Sequence, residues 1–204
     1  DEFKLFFSTL CILLLMNALN LTDGINGLAS GFTSCWLLSL ALITNDEIVF
    51  KILLLLSIFS LLNTFIILNG KYFLGDSGTL FLGSLVGILT IFIYNNQLNL
   101  DNSISVEQIF IFFMIPGVDM FRLFLIRLLK KKDPFKGDLN HLHHLMLRQF
   151  SLNKNLLIYL IVFLITNLFS YFNIIYPSLI IILYLAIYIF FVFSSKKKLE
   201  NTSK

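Results

Sequence analysis

The stretch NALNLTDGINGLASG, residues 17–31, separates two apolar runs, Phe3–Met16 and Leu28–Thr44. Asn17, Asn20, Asp23 and Asn26 therefore stand at the edge of whatever apolar phase those runs occupy, where a polar group without a partner is costly. Reading outward, further apolar runs follow at Ile48–Leu68, Thr79–Tyr94, Ile104–Leu129, Leu156–Asn173 and Pro177–Phe193. A helix that crosses a bilayer needs about 20 mostly apolar residues, and about 17 suffice in a bundle. The chain has 204 residues, 57% of them hydrophobic and only 13% charged, and its mean hydropathy is +0.87. That excludes an ordinary soluble domain. The fold class is all-α: one polytopic transmembrane bundle over residues 1–204, with about seven membrane segments and no repeat or linker to divide it. The first run is short and begins almost at Asp1, so the sequence is expected to be truncated at its N-terminus.

Charge gives the orientation. If the segments alternate, the loops Asn17–Gly27, Asn69–Gly78 and Lys130–Asn155 share one side with the C-terminal tail. Thirteen of the fifteen Lys and Arg fall on that side or on the adjoining half of the fifth segment, leaving only Lys4 and Lys51 opposite. Basic residues favour the cytoplasmic side. Residues 130–155 thus read as a cytoplasmic loop rich in Lys, Arg and His, and 194–204 as a cytoplasmic tail. Cys11 and Cys35 lie within apolar segments and read as packing residues, not as a disulfide. Asn20 and Asn201 match a glycosylation pattern but map to the cytoplasmic side, which discounts them.

Three polar stretches fall on the lysine-marked side: residues 17–31, GKYFLGDSGTLFLG at 70–83 and DPFKGDLNHLHHLM at 133–146. In the first, Asn17, Asn20 and Asp23 are spaced i, i+3 at a helix end, and Gly24 and Gly27 let another group approach closely. An aspartate so placed can hold a divalent cation; a capped helix end with Gly27 and Gly31 as packing residues explains the same pattern. In the second, Asp76 and Ser77 lie near a helix N-terminus, where free N–H groups suit phosphate and a carboxylate can hold Mg²⁺. An ordinary N-cap accounts for them equally, and Gly83 and Gly87 read as helix contacts. Phe73 can stack on a ligand ring, or serve as one more apolar side chain among 23 Phe.

The third stretch collects every histidine of the chain, His141, His143 and His144. No further Cys or His stands at zinc-ligand spacing, so phosphate handling ranks ahead of metal binding. The surrounding Lys130, Lys131, Lys132, Lys136 and Arg148 suit anionic headgroups as readily as a substrate. In the long fifth segment, Pro116 and Gly117 are expected to break the helix after Ile115, leaving a second, tilted piece that could shape a groove for a lipid tail. Asp119 and Arg122 on that piece can pair at i, i+3.

Taken together, NxxNxxDGxxGLA, FxGDxG and HxHH after a Pro-containing helix resemble the polyprenyl-phosphate N-acetylhexosamine-1-phosphate transferases, relatives of the phospho-N-acetylmuramoyl-pentapeptide transferases. The resemblance covers nearly the whole chain. It implies transfer of a sugar 1-phosphate from a UDP-sugar to a polyprenyl phosphate such as undecaprenyl phosphate, with release of UMP and help from Mg²⁺ or Mn²⁺. It implies Asp76 as metal ligand, Asp23, His141, His143 and His144 as catalytic residues, and Phe73 as the aromatic against uracil. Asn17, Asn20, Asn26, Lys71 and Arg127 are assigned to substrate binding. The expected setting is a bacterial inner membrane with the site facing the cytoplasm, no nucleic-acid partner, and a homodimer left open.

Two departures qualify the resemblance. Asn26 stands where the family usually has an aspartate, which bears on nucleotide affinity more than on the reaction. The family also carries an adjacent Asp-Asp pair in an earlier loop, and no such pair occurs here; the chain is expected to be the C-terminal portion of a longer enzyme. An inactive paralogue or scaffold, and an ion-coupled transporter using Asp23, Asp76 and Asp119, are the competing readings.

Overall fold

The structure, a computed structural model, describes residues 2–97, 104–133 and 140–202, with side-chain surroundings as far as Ser195. Every regular element among them is a helix: α1 (Glu2–Thr22), α2 (Leu28–Ile43), α3 (Glu47–Leu68), α4 (Gly75–Gln97), α5 (Val106–Leu129), α6 (Leu142–Leu147), α7 (Leu152–Tyr171) and α8 (Pro177–Thr202). Six of these, all but α2 and α6, are long and apolar enough to cross a membrane, and α2 is a shorter apolar helix. Lys136 and the rest of 134–139 lie outside the described residues, as do 98–103.

The bundle is built around α2. Its residues Leu28 to Leu37 are all buried, so it reaches little lipid and has no need of full spanning length. Lipid tails offer no hydrophobic gain for helix pairing, so membrane helices associate through small residues and hydroxyls. Here a hydroxyl ladder joins α2 to α3. Ser57 Oγ donates to the Ser34 carbonyl at 2.8 Å, Ser60 Oγ to the Ser30 carbonyl at 2.8 Å, and Thr64 Oγ1 to Ser30 Oγ at 2.9 Å. α1 and α4 meet instead at Gly83, where a Cβ would lie 2.8 Å from the Met16 Cα, and at Gly87, beside Ile12. These glycines are helix contacts, as their spacing suggests. Both cysteines are free, Cys35 being buried.

Three sequence expectations need correction. α1 continues to Thr22, so Asn17 and Asn20 belong to its last turns and not to a loop. α4 starts at Gly75, which puts Asp76 inside its first turn. Most clearly, α5 is one continuous helix through Pro116 and Gly117. A proline within a helix leaves the carbonyl four residues earlier without its N–H. That carbonyl belongs to Phe112, and the buried Trp36 Nε1–H donates to it at 2.6 Å. The indole replaces the lost donor, which removes a reason for the helix to break.

Side chains also tie helix ends together away from the polar stretches. Gln97 Nε2 donates to the Ile43 carbonyl at 2.9 Å, Gln108 Nε2 to the Ser170 carbonyl at 3.0 Å, and Tyr171 OH to the Leu42 carbonyl at 3.0 Å. The described parts of all three polar stretches gather at the other end.

Candidate active site

The site is assembled where α1 ends and α4 begins, with the α6 histidines reaching the loop after α1. Near the end of α1, Asn20 Oδ1 accepts from Thr79 Oγ1 at 2.6 Å, which fixes the first stretch to the second. Three residues on, the Asp23 carboxylate accepts from the backbone N–H of Gly75. Gly75 has a φ of +67°, a left-handed geometry that glycine adopts without strain. α4 therefore begins directly against the end of α1.

Asp23 and Asp76 are near enough for their charges to interact. Half-burial pushes the Asp23 carboxyl up to about 6, the Gly75 N–H opposes that rise, and the neighbouring Asp76 charge adds to it. Asp76 itself is exposed. Two carboxylates in each other's field, one open to water, form a hard-oxygen donor set of the kind Mg²⁺ takes while keeping several waters. The donor set fits such an ion.

The third stretch closes over the first at Gly24. A Cβ there would lie 2.8 Å from both His143 Nε2 and His144 Nε2. Only a residue without a side chain admits the two rings so closely. α6 is held from behind by Asn155 of α7, whose Nδ2 donates to the His143 carbonyl at 2.9 Å. The three imidazoles form a column, with ring centroids 5.4 Å apart for His141 and His143 and 4.2 Å for His143 and His144. Burial, with His144 beside it, pulls the His143 imidazole down to about 3, although the Asp119 charge opposes this. His143 is therefore neutral at physiological pH. The Nε2 atoms of His141 and His143 are buried and have no hydrogen-bond partner among the described residues.

Asp119 closes the base of this column. His141 Nδ1 lies 2.9 Å from Asp119 Oδ2, and Asp119 Oδ1 accepts from Tyr188 OH at 2.6 Å and from Arg122 Nη2 at 3.0 Å. The expected pairing of Asp119 with Arg122 is present. Asp119, His141 and His143 also bring ligand-capable atoms within 4.8 Å of one another. The Asp119 oxygens are already occupied by these donors, however, so a cation there would have to displace them. The Asp23–Asp76 pair asks for no such exchange.

The remaining sequence candidates are placed less uniformly. Phe73 is 80% exposed, with its ring edge 3.4 Å from where a Gly75 Cβ would be; it stands at the rim as an open aromatic surface. Lys71 and Asn26 are exposed near the same turns. Asn17 is exposed one turn deeper in α1, and no side-chain hydrogen bond among the described residues joins it to the cluster. Arg127, by contrast, is buried in the last turn of α5. Sequence reading assigns no site role to Thr79, Gly75 or Tyr188, and treats Asp119 as half of an ion pair or, in the transporter alternative, as part of an ion path. A hydroxyl three residues after Asp76 is the available hint for Thr79.

Comparison with known proteins bears on the same residues. Residues 2–94 match the model of glycosyl transferase family 4. The chain is 33% identical over 193 residues to a probable undecaprenyl-phosphate N-acetylglucosaminyl 1-phosphate transferase of Bacillus subtilis, covering 91% of this chain and 51% of that protein. Over residues 2–94 the chain is similar to glycosyl transferase family 4. A second relative is an undecaprenyl-phosphate alpha-N-acetylglucosaminyl 1-phosphate transferase of Thermotoga maritima, 29% identical over 154 residues, covering 76% of this chain and 47% of that protein. The chain thus spans about half the length of the curated relatives it matches. The family model takes in Asn20, Asp23 and Asp76. The Bacillus match, over 91% of the chain, reaches the histidines as well.

Proposed function

We propose that the protein transfers a sugar 1-phosphate from a UDP-sugar to undecaprenyl or another polyprenyl phosphate, releasing UMP, with the site open to the cytoplasm. The carrying observation is the meeting of three sequence-distant stretches: Asp23 on the Gly75 N–H, Asp76 beside it, and Gly24 beneath His143 and His144. The names of the two relatives support the lipid acceptor and the N-acetylglucosaminyl 1-phosphate group. The basic residues on the side of the three stretches support the cytoplasmic orientation.

The residues divide the work by chemistry. Asp76 would hold Mg²⁺ with Asp23 at its side, and the bound ion would offset the charge of the diphosphate. Phe73 offers a face to the uracil ring, and Lys71 and Asn26 lie within the same turns to contact the nucleotide. Asn20 and Thr79 keep α1 and α4 in register, so that Asp23 and Asp76 stay together. The neutral His143 and its neighbours supply nitrogen atoms, Nε2 of His141 and His143 having no partner among the described residues, for phosphate oxygens or for a proton. An oxygen of the lipid phosphate attacks the sugar-bearing phosphorus, the bond to the UMP oxygen breaks, and UMP carries that oxygen away. Behind α6, an apolar cavity of about 250 Å³ between α5, α7 and α8 is lined by Leu142, Met146, Ile158 and Ile187 among others. It offers apolar volume for a lipid chain beside the histidine-bearing helix.

The test is UMP release by the protein as its gene encodes it, supplied with UDP-N-acetylglucosamine, undecaprenyl phosphate and Mg²⁺. We expect release that needs both the lipid and the ion. No UMP from any UDP-sugar would reject the reading.

A further inference from the structure

We infer that Asp119 is a positioning residue that holds His141 in the tautomer with its proton on Nδ1, so that Nε2 presents a lone pair to the site. For activity this rests on the transferase reading; the tautomer itself does not. A carboxylate can only accept, so the nitrogen 2.9 Å from Asp119 Oδ2 must carry a proton. In the neutral ring the other nitrogen is then an acceptor. That other nitrogen, Nε2, is buried without a partner among the described residues. A buried acceptor on the histidine-bearing stretch suits a proton coming from a reacting oxygen.

Asp119 is itself immobilised from three elements. The backbone N–H of Leu142, the first residue of α6, donates to both of its oxygens at 3.1 and 3.2 Å. Arg122, one turn along α5, donates to Oδ1, and so does Tyr188 of α8. Arg122 also donates from Nη2 to the Asn140 carbonyl at 2.6 Å, just ahead of the histidines. The dyad therefore reads out the packing of α5, α6 and α8 together. α8 lies outside the region matched by the family model, yet its Tyr188 reaches this network.

The donors also make the tautomer testable. The Leu142 N–H lies against both oxygens, but Arg122, which cannot accept, and the Tyr188 hydroxyl both point at Oδ1. In Asp119→Asn the amide oxygen must face them, which turns the amide NH₂ toward His141 Nδ1. His141 would then have to accept at Nδ1 and carry its proton on Nε2 instead. Nitrogen-15 histidine solid-state NMR on the gene-encoded protein in liposomes reads this directly. The expected wild-type spectrum contains a neutral Nδ1–H histidine that disappears in His141→Gln and becomes Nε2–H in Asp119→Asn. Tyr188→Phe, which leaves the carboxylate in place, keeps the Nδ1–H form. Absence of that form from the wild type, or its survival unchanged in Asp119→Asn, overturns the assignment. If Asp119→Asn does not fold, the wild type, His141→Gln and Tyr188→Phe still decide.

In the UMP assay, Asp119→Asn should lower kcat about 100-fold, the low end of a positioned acid or base. The KM for the UDP-sugar should stay within about twofold, because the ground-state contacts remain. The pH profile of kcat should change shape in this variant; a fall in kcat with an unaltered profile would mark a merely structural role and overturn the proposal. A protein with no UMP release but the expected tautomers would reject the transferase reading and leave the dyad standing.

Discussion

Asp119 and the Asp23–Asp76 pair lie at the same end of the bundle, and their charge is treated in opposite ways. Asp119 is 8% exposed and surrounded by donors: a histidine nitrogen, a tyrosine hydroxyl, a guanidinium and a backbone N–H. Its charge is answered within the chain. Asp23 has one backbone donor and a second carboxylate for a neighbour, so less of its charge is answered among the described residues. A buried charge that is fully hydrogen-bonded can hold its partners in place, as proposed for His141, whereas repulsion retained at an open rim is what the proposed cation would relieve.

The comparison is broken most decisively at the open pair. Asp76→Asn and Asp23→Asn should each lower the rate of UMP release by about 10³-fold or more, as expected when electrostatic support for a phosphoryl transfer is removed. Melting temperature in detergent should not fall in Asp23→Asn. The Asp23 carboxyl binds more protons folded than unfolded between its ordinary 3.8 and about 6, so stability declines as pH rises through that window. Removing the charge removes that decline. A marked loss of stability at pH 8 would show instead that Asp23 is structural.

A smaller effect is expected where the first and third stretches touch. Gly24→Ala would put a methyl group 2.8 Å from two imidazole nitrogens. Those rings can shift, so the fold should survive, while misplacement of the histidines should cost about 10²-fold in rate. Activity equal to wild type would mean that the closeness of His143 and His144 to the Asp23 loop has no consequence. Smaller again is the pH response. Because Asp23 protonates near 6, apparent Mg²⁺ affinity should fall about tenfold per pH unit below that point. An affinity flat between pH 7 and pH 5 would remove Asp23 from the cation's surroundings.

The least effect is expected far from both acids. Trp36→Phe leaves the Phe112 carbonyl without its donor and should cost about 1 to 2 kcal/mol. With Pro116→Ala in the same chain, the substituted alanine supplies the missing helical N–H, and the cost of Trp36→Phe should largely vanish in a thermal double-mutant cycle. Additive effects would contradict the reading of Trp36 as the proline's replacement donor.

Trp36 also shows what sequence alone conceals. Proline within an apolar run predicts a break, because the compensating indole lies 76 positions earlier and on another helix. The seven apolar runs are legible because a bilayer demands length and apolarity, which are local properties. Asp23, Asp76 and the histidines are legible as a set because charge bias puts them on one side and their order matches a family pattern. Thr79 and Tyr188 are not: each acts through a tertiary contact, to Asn20 and Asp119, that no spacing announces. The i, i+3 spacing of Asn17 and Asn20 suggests a helix end, but the satisfaction of Asn20 across the α1–α4 contact has no local sign.

The central claim is that Asp23 and Asp76 share one divalent cation. Mn²⁺ titration followed by electron paramagnetic resonance, on the gene-encoded protein and on its Asp23→Asn and Asp76→Asn variants, tests this most directly. One bound Mn²⁺ is expected in the wild type, displaced by Mg²⁺ and lost or greatly weakened in both variants. Undiminished Mn²⁺ binding in either variant would contradict it.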